Sequence, residues 1–280
     1  MIKYNHITKH LLLVGLGFSL ITNQAFTNSL YATTKEMQQR SQAKLLTDKG
    51  NQQLRLGLPV EALDSFKEAT KIYQQMKYNE GITGSLINQS LALQALGLNS
   101  RACKTLLPAL NINADDWICN SSLESSEELT EKLVAKIIKQ ETGSSVTLLG
   151  LLNLGNVLRQ LGKLKESEII LQKALLLAKQ TSSAQVSTIL LSLGDTKRYI
   201  YKQFKDRFAV IEEPISQQQT FNVVQENATE AIQLYQQVIE DSNSSFENKA
   251  SSQANLLNLL VTYDKWLKKW LSQSNYGKII

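Results

Sequence analysis

Ala62, Phe66 and Ala69 stand four and three residues apart, and the same step returns three more times along the chain, as Ala102, Leu106, Ala109, then Ser167, Leu171, Ala174, then Ala231, Tyr235, Val238. On a helix, residues spaced four and three apart share one face. A bulky residue between two small ones lets a neighbouring helix approach closely at both ends of that face. A pattern that recurs in this way specifies one helical unit, repeated and stacked.

Each triplet is preceded by a second helical signature. Leu151, Leu154, Gly155 and Leu158, ending at Gly162, form the clearest case. Leu190, Leu193 and Gly194 repeat it, as do Leu86 and Leu93 before Gly97, and Leu46 and Gly50 before Gly57. Leu256, Leu259 and Tyr263 give a fifth copy that lacks a following triplet. Glycine after the first helix suits a left-handed cap and a tight reversal, and Pro59 suits the first turn of the helix that follows. Copies start near Ala43, Thr83, Leu148, Ser187 and Gln253, at intervals of 40, 65, 39 and 66 residues. The two long intervals carry inserts, near 113–142 and 204–220. In the first, Ser125 and Glu128 form a capping box ahead of the apolar stripe Leu129, Leu133, Val134, Ile137 and Ile138, which predicts an extra helix over about 127–140. The second, with Pro214 and little periodicity, reads as an irregular arm. The expected fold class is all-α, a right-handed superhelical stack of helical hairpins (an α-solenoid) with one extra inserted helix. Only 13 glycines and 3 prolines in 280 residues agree with it.

Residues 1–32 stand apart from this pattern. Lys3, Lys9 and His10 precede an uncharged apolar run from Leu11 to Ile21, and small residues recur at Ala25, Ser29 and Ala32. That order predicts a signal peptide, leaving 33–280 as the repeat domain and placing the protein in the periplasm or outside the cell. The run is shorter than the ~20 residues of a membrane span, so no stable membrane insertion is expected after cleavage. Removing it lowers the formal charge from +5 to +3, which makes no electrostatic case for nucleic acid.

The only histidines, His6 and His10, lie in that leader. The expected exported chain therefore has no imidazole for a nucleophile–base pair or a zinc site. No glycine-rich phosphate loop appears, and the neighbouring carboxylates Asp115–Asp116 and Glu212–Glu213 diverge along the backbone. The expectation is a binding protein, not an enzyme, with no cofactor and no metal. Cys103 and Cys119, the only thiols, form a disulfide in one reading, which in an oxidising compartment adds ~3 kcal/mol. In the other, Cys103 is simply buried and Cys119 incidental.

The two helical signatures resemble the tetratricopeptide repeat, over residues 43–272 or so. Narrower stretches, RACKTLLPAL at 101–110, ELTEKL, and LLNLGNVLRQLG at 151–162, resemble the exported repeat region that precedes a CHAT domain in cyanobacterial proteins. That resemblance implies the interaction half of a split or truncated caspase-like peptidase, since neither the CHAT segment nor a histidine for its dyad is present.

Stacked hairpins of this kind present the first helix of each copy along a concave surface. At one inner position the copies carry Asp48, Asn88, Asn153, Ser192 and Asn258, and nearby positions carry Lys44, Asn51, Arg55, Asn156, Arg159, Asp195 and Arg198. These residues are the candidate groove for a peptide or protein partner; the alternative is that they are the polar sides of amphipathic helices. Finally, Leu256, Leu257, Leu259, Leu260, Trp266, Leu267, Trp270 and Leu271 crowd the fifth copy with no following hairpin to cover them all, so self-association or docking through 253–271 is expected.

Overall fold

In the computed structural model the described residues are 34–112, 118–119, 128, 130–132, 135, 145–181, 184–211 and 213–273. The expected leader at 1–32 and most of the first insert lie outside them. Within the insert, Glu128, Thr130, Glu131, Lys132 and Ala135 are helical.

Among the described residues there are helices and no strand. They are α1 (34–55), α2 (Pro59–Gln75), α3 (Asn79–Ala95), α4 (Asn99–Ala109), α5 (Ser145–Gln160), α6 (Leu164–Gln180), α7 (Val186–Phe208), α8 (Pro214–Glu240) and α9 (Phe246–Gln273). The chain divides into two compact units, up to Ser85 and from Leu86 onward. Neighbouring helices pack in sequence order, as an all-α chain of stacked hairpins requires.

The 4–3 triplets are the core. All twelve of their residues are at most 2% exposed. Opposite the central residue of three of the four triplets stands a position with no side chain. A methyl group on Gly50 would lie 2.5 Å from the Phe66 ring, on Gly155 2.5 Å from Leu171 Cγ, and on Gly194 2.9 Å from the Tyr235 ring. Glycine is used here because the backbone of these three first helices touches the large side chain of the second.

Turns close the same way in both units. Gly57, Gly97 and Gly162 have φ of +73°, +73° and +77°, and in each case the residue after the glycine donates its N–H five residues back, as Lys163 does to Leu158 O at 2.9 Å. This is the Schellman closure, which the left-handed residue makes possible. Lys77 and Asn111 complete it without glycine, at φ of 54° and 53°. Tyr78 N bonds Tyr73 O at 3.0 Å and Ile112 N bonds Leu107 O at 2.9 Å. Cys103 and Cys119 are joined by a disulfide across a sequence separation of 16, with their Cα atoms 5.5 Å apart.

One expectation needs correction. The stretch 204–220 is not an irregular arm: α7 continues through Phe208 and α8 begins at Pro214, so only a short bend separates them. Proline there starts a helix instead of stopping one, because its missing N–H falls in the first turn, where no intrahelical acceptor exists. Glu213 caps that end by accepting from Ser216 N at 3.1 Å. The periodicity was present as Phe221, Val224, Ala228, Ala231, Tyr235 and Val238, whose last five members are fully buried.

Part of the apolar strip of α9 is covered within the chain. The Trp266 ring lies 5.5 Å from Phe208, 5.4 Å from Phe221 and 5.9 Å from Tyr263, and Leu259 is fully buried. The long α7 and α8 supply Phe208 and Phe221. Leu257, Leu260 and Val261 remain exposed.

Candidate functional site

The sequence-derived groove residues divide by unit. Lys44, Asp48 and Arg55 are exposed on α1, with Asn51 half-buried beside them. Asn88 is half-buried on α3 and Asn258 exposed on α9. Asn153 is turned inward: it is 6% exposed and its Nδ2 donates to Leu149 O in its own helix at 2.8 Å. Asn156 Oδ1 is buried with no hydrogen-bond partner among the described residues. Only Arg159, Asp195 and Arg198, with the Ser192 backbone, are brought together.

Arg159, at the last turn of α5, lies beside α7, and its Nη1 donates to Ser192 O at 3.0 Å. Its Nη2 stands 3.9 Å from Asp195 Oδ2, while Arg198 Nη2 stands 3.7 Å from Asp195 Oδ1. Asp195 is held from two further helices. Tyr235 of α8 donates its hydroxyl to Oδ1 at 2.7 Å, and Asn255 of α9 donates Nδ2 to the same oxygen at 2.9 Å. Arg198 Nε in turn donates to the Tyr235 hydroxyl at 3.2 Å. Four helices thus fix one carboxylate between two guanidinium groups.

Tyr199 completes the cluster. Its ring is 47% exposed, and the Arg159 and Arg198 guanidinium carbons lie 5.7 and 5.5 Å from its centroid. Both are within cation–π range. The local charge is two cations against one anion, next to an open aromatic surface.

Electrostatics follow burial. Arg159 is the more enclosed cation, 13% exposed against 28% for Arg198. Burial holds its pKa below the ordinary arginine value, with Asp195 opposing. For Arg198 burial pulls downward too, but Tyr235 and Asp195 outweigh it and the net shift is upward. The Tyr235 hydroxyl is pushed far up by burial first and by Asp195 second, so it stays a donor. On another face of α7, Lys197 bonds Glu168 at 2.7 Å and Glu230 at 2.6 Å, tying α6, α7 and α8 together. Burial lowers its pKa, and those two bonds more than offset that. This clamp fixes the rotation of α7 and so the direction in which Asp195 and Tyr199 point.

Tyr199, Tyr235 and Asn255 were not among the residues read from the sequence as site residues. Tyr235 was legible only as a core residue. Among the described residues no group of carboxylates, cysteines or histidines could hold a metal ion, and no helix is long and apolar enough to cross a membrane.

Residues 147–184, which span α5 and α6, match the family model of the tetratricopeptide repeat. No curated protein matches the chain. A repeat of this family suggests a protein–protein interaction scaffold, and such repeats are typically non-catalytic. The match covers the repeat and does not bear on the CHAT resemblance.

Proposed function

We propose that this chain is a non-enzymatic scaffold that binds a peptide or protein on the α5–α7–α9 side of its second unit, with an acidic or carboxylate group of the partner seated at Tyr199 between Arg159 and Arg198. The observation that carries this reading is the half-exposed Tyr199 ring under two guanidinium groups that share a single carboxylate. A planar carboxylate pairs well with arginine, and an aromatic ring beside it supplies apolar contact of the kind that dominates binding energy. The excess positive charge favours an anionic group over a neutral one. Tyr199→Ala should reduce capture of the partner at least tenfold while leaving the helical signal and melting temperature nearly unchanged, because half of the side chain is in solvent. Unaltered capture would move the contact elsewhere.

A second reading, an accessory part of a separately encoded CHAT peptidase, rests on the stretches at 101–110 and 151–162. Capture of a caspase-like protein carrying a histidine–cysteine dyad would favour it.

Export is part of the same proposal. The basic, apolar and small-residue order of 1–32 supports cleavage between Phe26 and Thr33 and a periplasmic or extracellular destination. Intact-mass measurement should find the mature chain starting in that window; a soluble cytoplasmic product that keeps Met1 would contradict it.

A further inference from the structure

Four exposed large apolar side chains lie on α9: Phe246 at 88%, Leu257 at 65%, Val261 at 46% and Leu260 at 44%. No other described helix carries more than two. At 100° per residue, Phe246, Ala250, Ala254, Leu257 and Val261 fall along one meridian, with Leu260 at its edge and the buried Ser252 and Leu259 behind. Leu260 also occupies the position held by Gly50, Gly155 and Gly194 in three other first helices. There the missing side chain admits the next helix. In α9 a large apolar side chain stands there, and 44% of it is open to solvent.

We propose that this stripe is covered by a second copy of the chain, α9 against α9, antiparallel about a two-fold axis beside Asn255 and Leu256. The stripe is complementary to itself in that arrangement. Ala254 comes opposite the second copy's Leu257, and Ala250 opposite its Val261, so a small residue meets a large one on both sides of the axis. A two-fold interface repeats every such contact, which doubles the gain from each complementary pair.

Charge favours the same register. Glu247 faces the second copy's Lys265, and Lys249 faces its Asp264. A parallel pairing would instead set Glu247 against Glu247 and Lys265 against Lys265, which disfavours it. The buried face of α9 takes no part, because Leu259 is already covered within the chain and Trp266 packs on Phe208 and Phe221.

Sedimentation velocity on the purified chain tests the proposal. The unmodified chain should sediment as a dimer at high micromolar concentration. Leu257→Glu combined with Val261→Glu should give a monomer with unchanged helical signal, since both side chains are largely in solvent. Glu247→Lys should weaken dimerisation at least tenfold, and adding Lys265→Glu to it should restore the original affinity. A monomeric unmodified chain, a dimer indifferent to the two glutamates, or a charge-reversed pair that fails to recover would each overturn it.

Discussion

Gly155→Leu should lower the stability of the second unit by about 3 kcal/mol, at the upper end of what overpacking costs. Even a methyl group on Gly155 would sit 2.5 Å from Leu171 Cγ and 2.7 Å from Cδ2, and Leu171 is fully buried with no room to retreat. The backbone is also committed at this point. Ser167 donates its hydroxyl to Gly155 O at 2.8 Å, so moving α6 away from α5 would break a buried hydrogen bond as well. Chemical denaturation followed by helical signal reads the effect. A truncation of Leu171 to Ala in the Gly155→Leu background should recover part of the loss, because the two positions share one space. A Gly155→Leu variant as stable as the unmodified chain would mean that α5 and α6 do not meet in this register.

Asp195→Ala should cost about 2–4 kcal/mol, for a different reason. Deleting one partner of a buried polar cluster leaves the others desolvated and unpaired. Here the Tyr235 hydroxyl and the Asn255 amide lose their acceptor, and two guanidinium groups, of which Arg159 is only 13% exposed, lose their counter-charge. The ion-pair distances of 3.7 and 3.9 Å are long, so most of the loss comes from the two short hydrogen bonds at 2.7 and 2.9 Å. Asp195→Asn, which keeps an acceptor, should be milder than Asp195→Ala. Equal stability of all three proteins would show that the cluster does not hold α7, α8 and α9 together.

The hairpins were legible because their packing is written in residue size. A glycine such as Gly155 facing a triplet centre such as Leu171 can be found from spacing alone, and the left-handed turns at Gly57, Gly97 and Gly162 announce themselves. Lys77 and Asn111 close equivalent turns without that signal. The start of α8 is hidden because a proline in a stretch of little periodicity reads as irregular, whereas Glu213 immediately before Pro214 marks a helix start.

The candidate site was legible only in part. Arg159, Asp195 and Arg198 are legible because they lie near the recurring inner position of successive first helices. Their partners were not, since Tyr235 and Asn255 lie 40 and 60 residues from Asp195 and meet it only after three helices have stacked. Asn153 shares the position of Ser192 yet bonds its own helix, which spacing does not reveal. Tyr199 gains its role from Arg159, on another hairpin.

The central claim is that the second unit binds a protein through the surface around Tyr199. Site-specific photo-cross-linking tests it most directly, with a photoreactive residue at position 199 and, as a control, at Leu176, which is 55% exposed on α6. The account predicts a cross-link to a partner protein from position 199 and none from position 176. Cross-links from position 176 alone, or none from 199, would contradict it.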